Sequence, residues 1–236
     1  MLGLPEITTV ALFDLDGVLT STAVLHRNAW KEAFDAFLSS RAPENFVPFT
    51  KQDYLDHVDG RRREDGVRAF LHSRGIDDAT EAEMAEIGDR KNARFVATLE
   101  ADGVDPYPGS VRYLQAARDA GLRIAVVTSS KNGAAVLDAA DLSKFVEVRV
   151  DGAETAARGL PGKPAPDSFL LGAELMGVAP DHAAVFEDAI SGVEAAVAGK
   201  FGYVVAIDRV GGGQANAMTA AGADRVVNDL DELLPA

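Results

Sequence analysis

The chain has no cysteine. That excludes disulfides, thiolate nucleophiles and any metal site built on sulfur. Basic residues are scarce: 23 Lys and Arg stand against 37 Asp and Glu, a formal net charge of −14. Nucleic-acid binding leaves a basic footprint, so no nucleic-acid partner is expected. No apolar run approaches the roughly 20 residues that cross a bilayer. The N-terminus has no basic segment followed by a signal-type apolar stretch. No membrane partner is expected, and a cytoplasmic location follows by default. The acid excess also sets a condition. An anionic substrate would be repelled at long range unless basic residues cluster locally or a cation intervenes.

What is present suits an ordinary globular protein: 236 residues, 47% hydrophobic and 25% charged. That length supports one sizeable core, with room for a smaller second unit. Residues 8–12, TTVAL, form an apolar β-branched run that reads as a buried strand. From residue 21 to 100 strand-like alternation is missing. Helical spacing predicts helices over 23–37, where Leu25, Ala29, Ala33, Phe34 and Phe37 recur, and near 51–58, 62–74 and 80–99. Residues 41–49, with Pro43 and Pro48, read as a loop. After residue 102 strands and helices alternate. Strands are expected at 122–127, 145–150, 183–186, 203–207 and 225–227, with helices to about 120 and over 132–140, 167–176 and 191–198. A last short helix closes the chain, and 151–166 reads as a Gly/Pro-rich loop.

Alternation of this kind implies an α/β fold with a doubly wound parallel sheet covered on both faces. The expected division is a core domain of 1–20 and 102–236 with an inserted all-helical lid of 21–101. The lid leaves just after the first strand and so hangs over the carboxyl ends of the strands, where open α/β sheets bind ligands.

The first strand runs into Asp14-Leu15-Asp16-Gly17-Val18-Leu19-Thr20. Two carboxylates at a strand end are costly unless paired, and a hard cation such as Mg²⁺ prefers oxygen ligands. A lone D-x-D is more often a turn. Thr128 ends the second core strand, where a hydroxyl beside a helix start suits phosphate, although by itself it reads first as an N-cap. Lys163, between Gly162 and Pro164, is either a solvated loop residue or a charge carried to a phosphate. Glu187 and Asp188 end a later strand and are either helix caps or oxygen ligands.

Together, in this order, the four pieces resemble the haloacid dehalogenase superfamily of phosphotransferases: acid pair, Ser/Thr, Lys, acid pair. Residues 14–30, DLDGVLTSTAVLHRNAW, are more narrowly similar to the β-phosphoglucomutase-like family, as are Ser129-Ser130-Lys131-Asn132-Gly133 and the KPAPD string at 163–167. The resemblance implies a Rossmann-like core and Mg²⁺ as cofactor, held by Asp14, Asp16 through its carbonyl, Glu187 and Asp188. It implies Asp14 as nucleophile and Asp16 as general acid/base, with Thr128 and Lys163 on the transferring group. Thr22 and His26 fall at the hinge and lid base. Arg63 matches a lid arginine that grips the phosphate not being transferred. Ser129, Ser130, Lys131 and Asn132 match a phosphate-binding loop, and Lys91 and Asn92 match lid residues that contact a sugar. The expected reaction is conversion of β-glucose 1-phosphate to glucose 6-phosphate through a phosphoaspartate and a hexose bisphosphate, by a monomer acting on a phosphorylated sugar. A sugar-phosphate phosphatase with the same core is the alternative. A non-catalytic phospho-acceptor module is a third reading, against which Asp16 and the lid both argue. Three departures bear on the sugar: Asp59 stands where a mutase has Lys, Arg61 and Arg62 replace small residues, and Ser129 replaces a small apolar one. Trp30 reads first as lid packing. His26 reads equally as a hinge residue and as plain helix surface.

Overall fold

A computed structural model describes residues 2–235 of the chain. Among these, six parallel strands form one sheet in the order β3-β2-β1-β4-β5-β6. They are β1 (Val10–Phe13), β2 (Arg123–Val127), β3 (Val148–Val150), β4 (Ala183–Glu187), β5 (Tyr203–Ile207) and β6 (Arg225–Val227). Strand β1 is central and buried along its whole length. Its apolar run serves both faces, as the two-residue period of a strand requires. Ala11 and Phe13 join one core with Ile124, Val126, Ala184 and Phe186. Val10 and Leu12 join the other with Ala125, Val127, Ala183 and Val185.

Helices cover both faces. On the Phe13 side lie α5 (Pro108–Asp119), through Tyr113, Leu114 and Ala117, and α6 (Gly133–Ala139), through Val136 and Leu137. On the Leu12 side lie α8 (Asp167–Leu175), α9 (Ile190–Ala198) and α10 (Gln214–Ala220), through Phe169, Val193 and Met218. The fold is the doubly wound α/β sheet that the alternation implies.

Between β1 and β2 the chain is helical: α1 (Thr22–Arg41), α2 (Lys51–His57), α3 (Arg63–Ser73) and α4 (Glu81–Asp102). These helices bury a core of their own, with Trp30, Phe34, Phe49 and Phe70 at its centre. Phe34 lies 5.0 Å from the Trp30 ring and 4.2 Å from that of Phe70. The two ends of this excursion run side by side. Ser21 N–H donates to Asp105 O at 3.1 Å and Tyr107 N–H to Leu19 O at 3.0 Å.

Several elements differ from the sequence expectation. β1 begins at Val10 rather than Thr8 and includes Phe13. Residues 143–145 form a 3₁₀ turn, so the third strand starts only at Val148. The stretch read as loop at 151–166 opens with a helix, α7 (Gly152–Ala157), because the Asp151 carboxylate caps it by accepting from the N–H groups of Ala153 and Glu154. Helix α10 was not anticipated, and the last short helix is a 3₁₀ turn at Leu230–Leu233.

Candidate active site

Strand register explains why the acids meet. Phe13 pairs with Val126 on one side and Phe186 on the other. The next residues, Asp14, Val127 and Glu187, are therefore level, and Thr128 and Asp188 follow one step on. Strand order reverses here, the usual ligand crevice of such sheets. Gly17 completes the arrangement. Its φ of +96° favours glycine, and a Cβ there would lie 1.8 Å from Asp188 Oδ2. Only a bare backbone lets the Asp188 carboxylate reach across.

Lys163 Nζ is buried between two of these acids. It donates to Asp14 Oδ1 at 2.6 Å and to Glu187 Oε1. The other Glu187 oxygen accepts from Ala189 N–H at 2.9 Å. Glu187 is thus engaged at both oxygens, while among the described residues no side-chain donor reaches the Asp188 carboxylate. Burial, with Lys163 opposing it and Glu187 and Asp16 assisting, pushes Asp14 up to about 8. Burial also drives Asp188 well above the usual carboxylate range, helped by Asp59, Glu187 and Asp14. Lys163 is raised despite its burial, because Asp14 and Glu187 hold its charge.

Asp14, Glu187 and Asp188 present buried oxygens within 4.8 Å of one another. Three hard oxygen donors, one of them unpaired, fit Mg²⁺. The Asp16 side chain is not part of this group. Its Oδ1 accepts from Thr22 Oγ1 and lies 3.1 Å from His26 Nε2, and its Oδ2 accepts from Thr128 Oγ1 at 3.3 Å. Only its backbone carbonyl is left for a cation.

His26 is buried, so plain helix-surface exposure is overturned. It stacks on Phe95 with ring centroids 4.1 Å apart. Its Nδ1 lies 2.6 Å from Lys91 Nζ. When Lys91 is an ammonium it can only donate, so Nδ1 is then the acceptor and the neutral ring carries its proton on Nε2, facing Asp16. The approach to Asp16 is off line for a hydrogen bond despite its 3.1 Å length. Burial and Lys91 push His26 below its ordinary value, and burial brings Lys91 down to about 7. Burial opposes ionisation of Asp16, yet contacts with His26 and Thr22 and the Lys91 charge outweigh it and hold this carboxyl below the usual range. The two acids of the D-x-D pair are thus pushed apart, the signature of divided acid/base roles.

The helical segment between β1 and β2 reaches the same cavity, which Arg63, Lys91, Ser129, Ser130, Lys131 and Asn132 line together with Asp14 and Asp16. Arg63 donates to Asn92 Oδ1 at 2.7 Å, and Asn132 Nδ2 donates to the same oxygen at 3.0 Å, which joins the helical segment to the loop after β2. Lys131 Nζ pairs with Glu64 at 2.7 Å. Ser130 N–H donates to Thr128 Oγ1 at 3.0 Å, and Ser129 Oγ donates to Gly60 O at 2.7 Å. Trp30 packs in the core of the helical segment, 4% exposed, and also walls the cavity, its ring 5.3 Å from Lys91 Nζ. Sequence reasoning gave no site role to Tyr54, Asp59 or Ser191. Tyr54 and Asp59 line the cavity, and Ser191 Oγ donates to Asp59 O at 2.8 Å. The departure at Asp59 was visible, but nothing local marked it as facing the core.

A family model for haloacid dehalogenase-like hydrolases matches residues 8–200. The chain is an enzyme of the haloacid dehalogenase-like family. It is similar to the β-phosphoglucomutase of Mycobacterium bovis, at 53% identity over 99% of this chain and 94% of that protein. It also resembles the β-phosphoglucomutase of Bacillus subtilis, at 32% identity over 94% of this chain and 90% of that one. Among solved structures it superposes on CbbY from Rhodobacter sphaeroides in complex with phosphate, with a TM-score of 0.74 and 26% identity over 96% of both chains. For this haloacid dehalogenase-like enzyme the four sequence pieces converge on one strand-end crevice.

Proposed function

We propose that the protein is a Mg²⁺-dependent β-phosphoglucomutase converting β-glucose 1-phosphate to glucose 6-phosphate. The observation that carries this reading is end-to-end similarity, at 53% identity, to a protein of that name. The cross-lid cluster Arg63–Asn92–Asn132 supports it, because a mutase must hold a second phosphate away from the reacting one. Residues 21–101 are taken as a lid that moves on a core of 1–20 and 102–236, in a monomeric cytoplasmic enzyme.

In this reading Asp14 carries the phosphoryl group. Phosphoaspartate-14 first gives it to the C6 hydroxyl of the sugar, and Asp16 accepts the hydroxyl proton. The hexose 1,6-bisphosphate then turns round. An Asp14 oxygen attacks the C1 phosphorus, the P–O bond to C1 breaks, and Asp16 returns its proton to the C1 oxygen. Glucose 6-phosphate leaves and phosphoaspartate-14 is restored. Thr128 and Lys163 stabilise charge on the transferring group, while Arg63, Ser130, Lys131 and Asn132 hold the distal phosphate. Mg²⁺, held by Asp14, Asp188 and the Asp16 carbonyl with Glu187 behind them, supplies charge neutralisation between carboxylate and phosphate. His26 and Lys91 orient Asp16, and the closed lid excludes water so that a sugar hydroxyl is the acceptor.

The test is a product assay: β-glucose 1-phosphate, Mg²⁺ and a trace of hexose bisphosphate, with glucose 6-phosphate and free phosphate measured together. Glucose 6-phosphate in large excess is expected. Faster release of free phosphate than of isomer replaces this reading with a sugar-phosphate phosphatase.

A further inference from the structure

The segment between β5 and α10 takes no part in the proposed reaction, yet it touches the site twice from behind. Asp208 Oδ1 accepts from the N–H groups of Val210 and Gly211 at 3.0 and 2.7 Å, which starts a turn. Gly213, with φ +100°, completes it in a conformation that favours glycine. The segment so folded carries Arg209 at one end and Gln214 at the other. Arg209 Nη1 donates to Asn228 O and to Asp229 Oδ2, both at 2.7 Å, and the guanidinium lies 3.8 Å from the centre of the Tyr107 ring. In that pose Nε donates to Gly17 O at 3.2 Å. A guanidinium can do this because its donors are fixed in one plane. The single ammonium of a lysine cannot meet the loops after β1 and β6 together. At the other end, Gln214 Nε2 donates to Asp188 O at 3.2 Å.

These two carbonyls belong to residues that press on each other. A Cβ on Gly17 would lie 1.8 Å from Asp188 Oδ2 and 2.5 Å from Asp188 Cγ. That contact sets how far the turn bearing Asp14 and Asp16 stands from Asp188. Gly17 offers no side chain to fasten it. What fastens it from behind is Arg209 on one carbonyl and Gln214 on the other.

We propose that Arg209 and Gln214 form a clip that sets the spacing between Gly17 and Asp188, and with it the geometry of the cation site. Both are positioning residues: they hold backbone carbonyls and touch neither the substrate nor the reacting atoms. Outer groups of this kind orient the ligands in front of them and tune the hold on a metal. The proposal rests on the reading of Asp14 and Asp188 as Mg²⁺ ligands and is independent of which sugar is used.

The test needs no sugar. Calorimetric Mg²⁺ affinity, amide hydrogen exchange and urea unfolding are measured on the full chain as wild type, Arg209→Met and Gln214→Met. The Mg²⁺ Kd should rise about 10-fold in each variant. The sign is informative for Arg209. Removing a cation near the site would by charge alone tighten the hold on Mg²⁺, so a weaker hold reports geometry. In the metal-free protein, exchange over residues 14–20 should quicken about 10-fold in Arg209→Met, the effect of losing one charge-assisted hydrogen bond. Gln214→Met guards against a folding defect, since it removes one hydrogen bond and no charge. A lower urea midpoint with unchanged Kd and unchanged exchange over 14–20 makes Arg209 a support for residues 228–229 alone and overturns the proposal. An unchanged or lower Kd in either variant also overturns it. If the wild type binds no Mg²⁺, the reading of the acids falls by itself. Exchange over 14–20 then still decides the clip: faster exchange in Arg209→Met upholds it and unchanged exchange removes it.

Discussion

Lys163 is the residue whose removal the site can least absorb. It is fully buried and holds Asp14 and Glu187 at once. Removing one partner of a buried ion pair leaves uncompensated charge, which costs about 3–5 kcal/mol. Lys163→Met should lower stability by that amount, read from urea unfolding without Mg²⁺. A change under about 1 kcal/mol would mean that water reaches these carboxylates and screens them. Asp14→Asn tests chemistry instead. An amide of the same shape cannot accept a phosphoryl group, so turnover should fall by about 10⁴-fold or more with the far-ultraviolet circular dichroism unchanged. In the proposed reaction Arg63 distinguishes the distal phosphate from the one transferred. Its bond to Asn92 aims the guanidinium at the cavity. Arg63→Ala should cut isomerisation about 100-fold, a loss of about 3 kcal/mol of transition-state binding, while hydrolysis of a small phosphate ester changes little. Equal loss of both activities would count against a distal-phosphate role.

At the scale of elements, helix α4 carries Lys91 to the cavity and Asn92 to Arg63 and Asn132 beside it, and it depends on its start. Thr80 accepts from Glu83 N–H while the Glu83 carboxylate accepts from Thr80 N–H, a reciprocal capping box. Thr80→Ala should cost about 1 kcal/mol of stability in denaturant unfolding, whereas breaking the exposed Arg68–Glu81 pair should be hard to detect. The box was readable in the sequence as Thr80 followed by Glu83. So were the buried strands, whose runs of Val, Ile and Ala have no other use. The short helices α7 and α10 were not. Each has six or seven residues and few buried apolar side chains, Met218 alone in α10, too short a window for a 3.6-residue period to emerge. Asp151 followed three residues later by Glu154 was the available clue to α7. In the site, Asp14, Asp16, Thr128 and Asp188 were legible because each ends a strand or adjoins one, and Lys163 because it stands between Gly162 and Pro164 just before a helix. His26, Tyr54 and Asp59 were harder, since what they touch comes from residues distant in the chain, which leave no mark on their sequence neighbours.

The molecule as a whole binds protons on folding at its acid cluster. Asp14 rises to about 8 and Asp59 to about 7, chiefly by burial, and Asp188 rises as well. Between about pH 4 and these values the folded state holds more protons than the unfolded one, so stability falls as pH increases. His26, lowered by burial and Lys91, works in the opposite direction below about 6.5, and Lys91, brought down to about 7, does so near and above that value, two groups against three. The metal-free protein should therefore have a higher urea midpoint at pH 5.5 than at pH 7.5, and Mg²⁺ should narrow the gap; a midpoint that rises with pH would contradict the assigned burial. The strand order carries a different consequence, for how the chain comes into being. Val10 pairs with Arg123 and with Ala183. On the ribosome, the strand that leads into the D-x-D pair is made before both of its neighbours, and it waits for the second of them until residue 187 has emerged. The helical excursion, with an aromatic core of its own, can collapse in the meantime. Pairings so distant along the chain are slow to form and leave apolar strands uncovered while they wait. The acid-bearing strand is therefore made before either partner, and its docking at the centre of the sheet is complete only after β4 has been made.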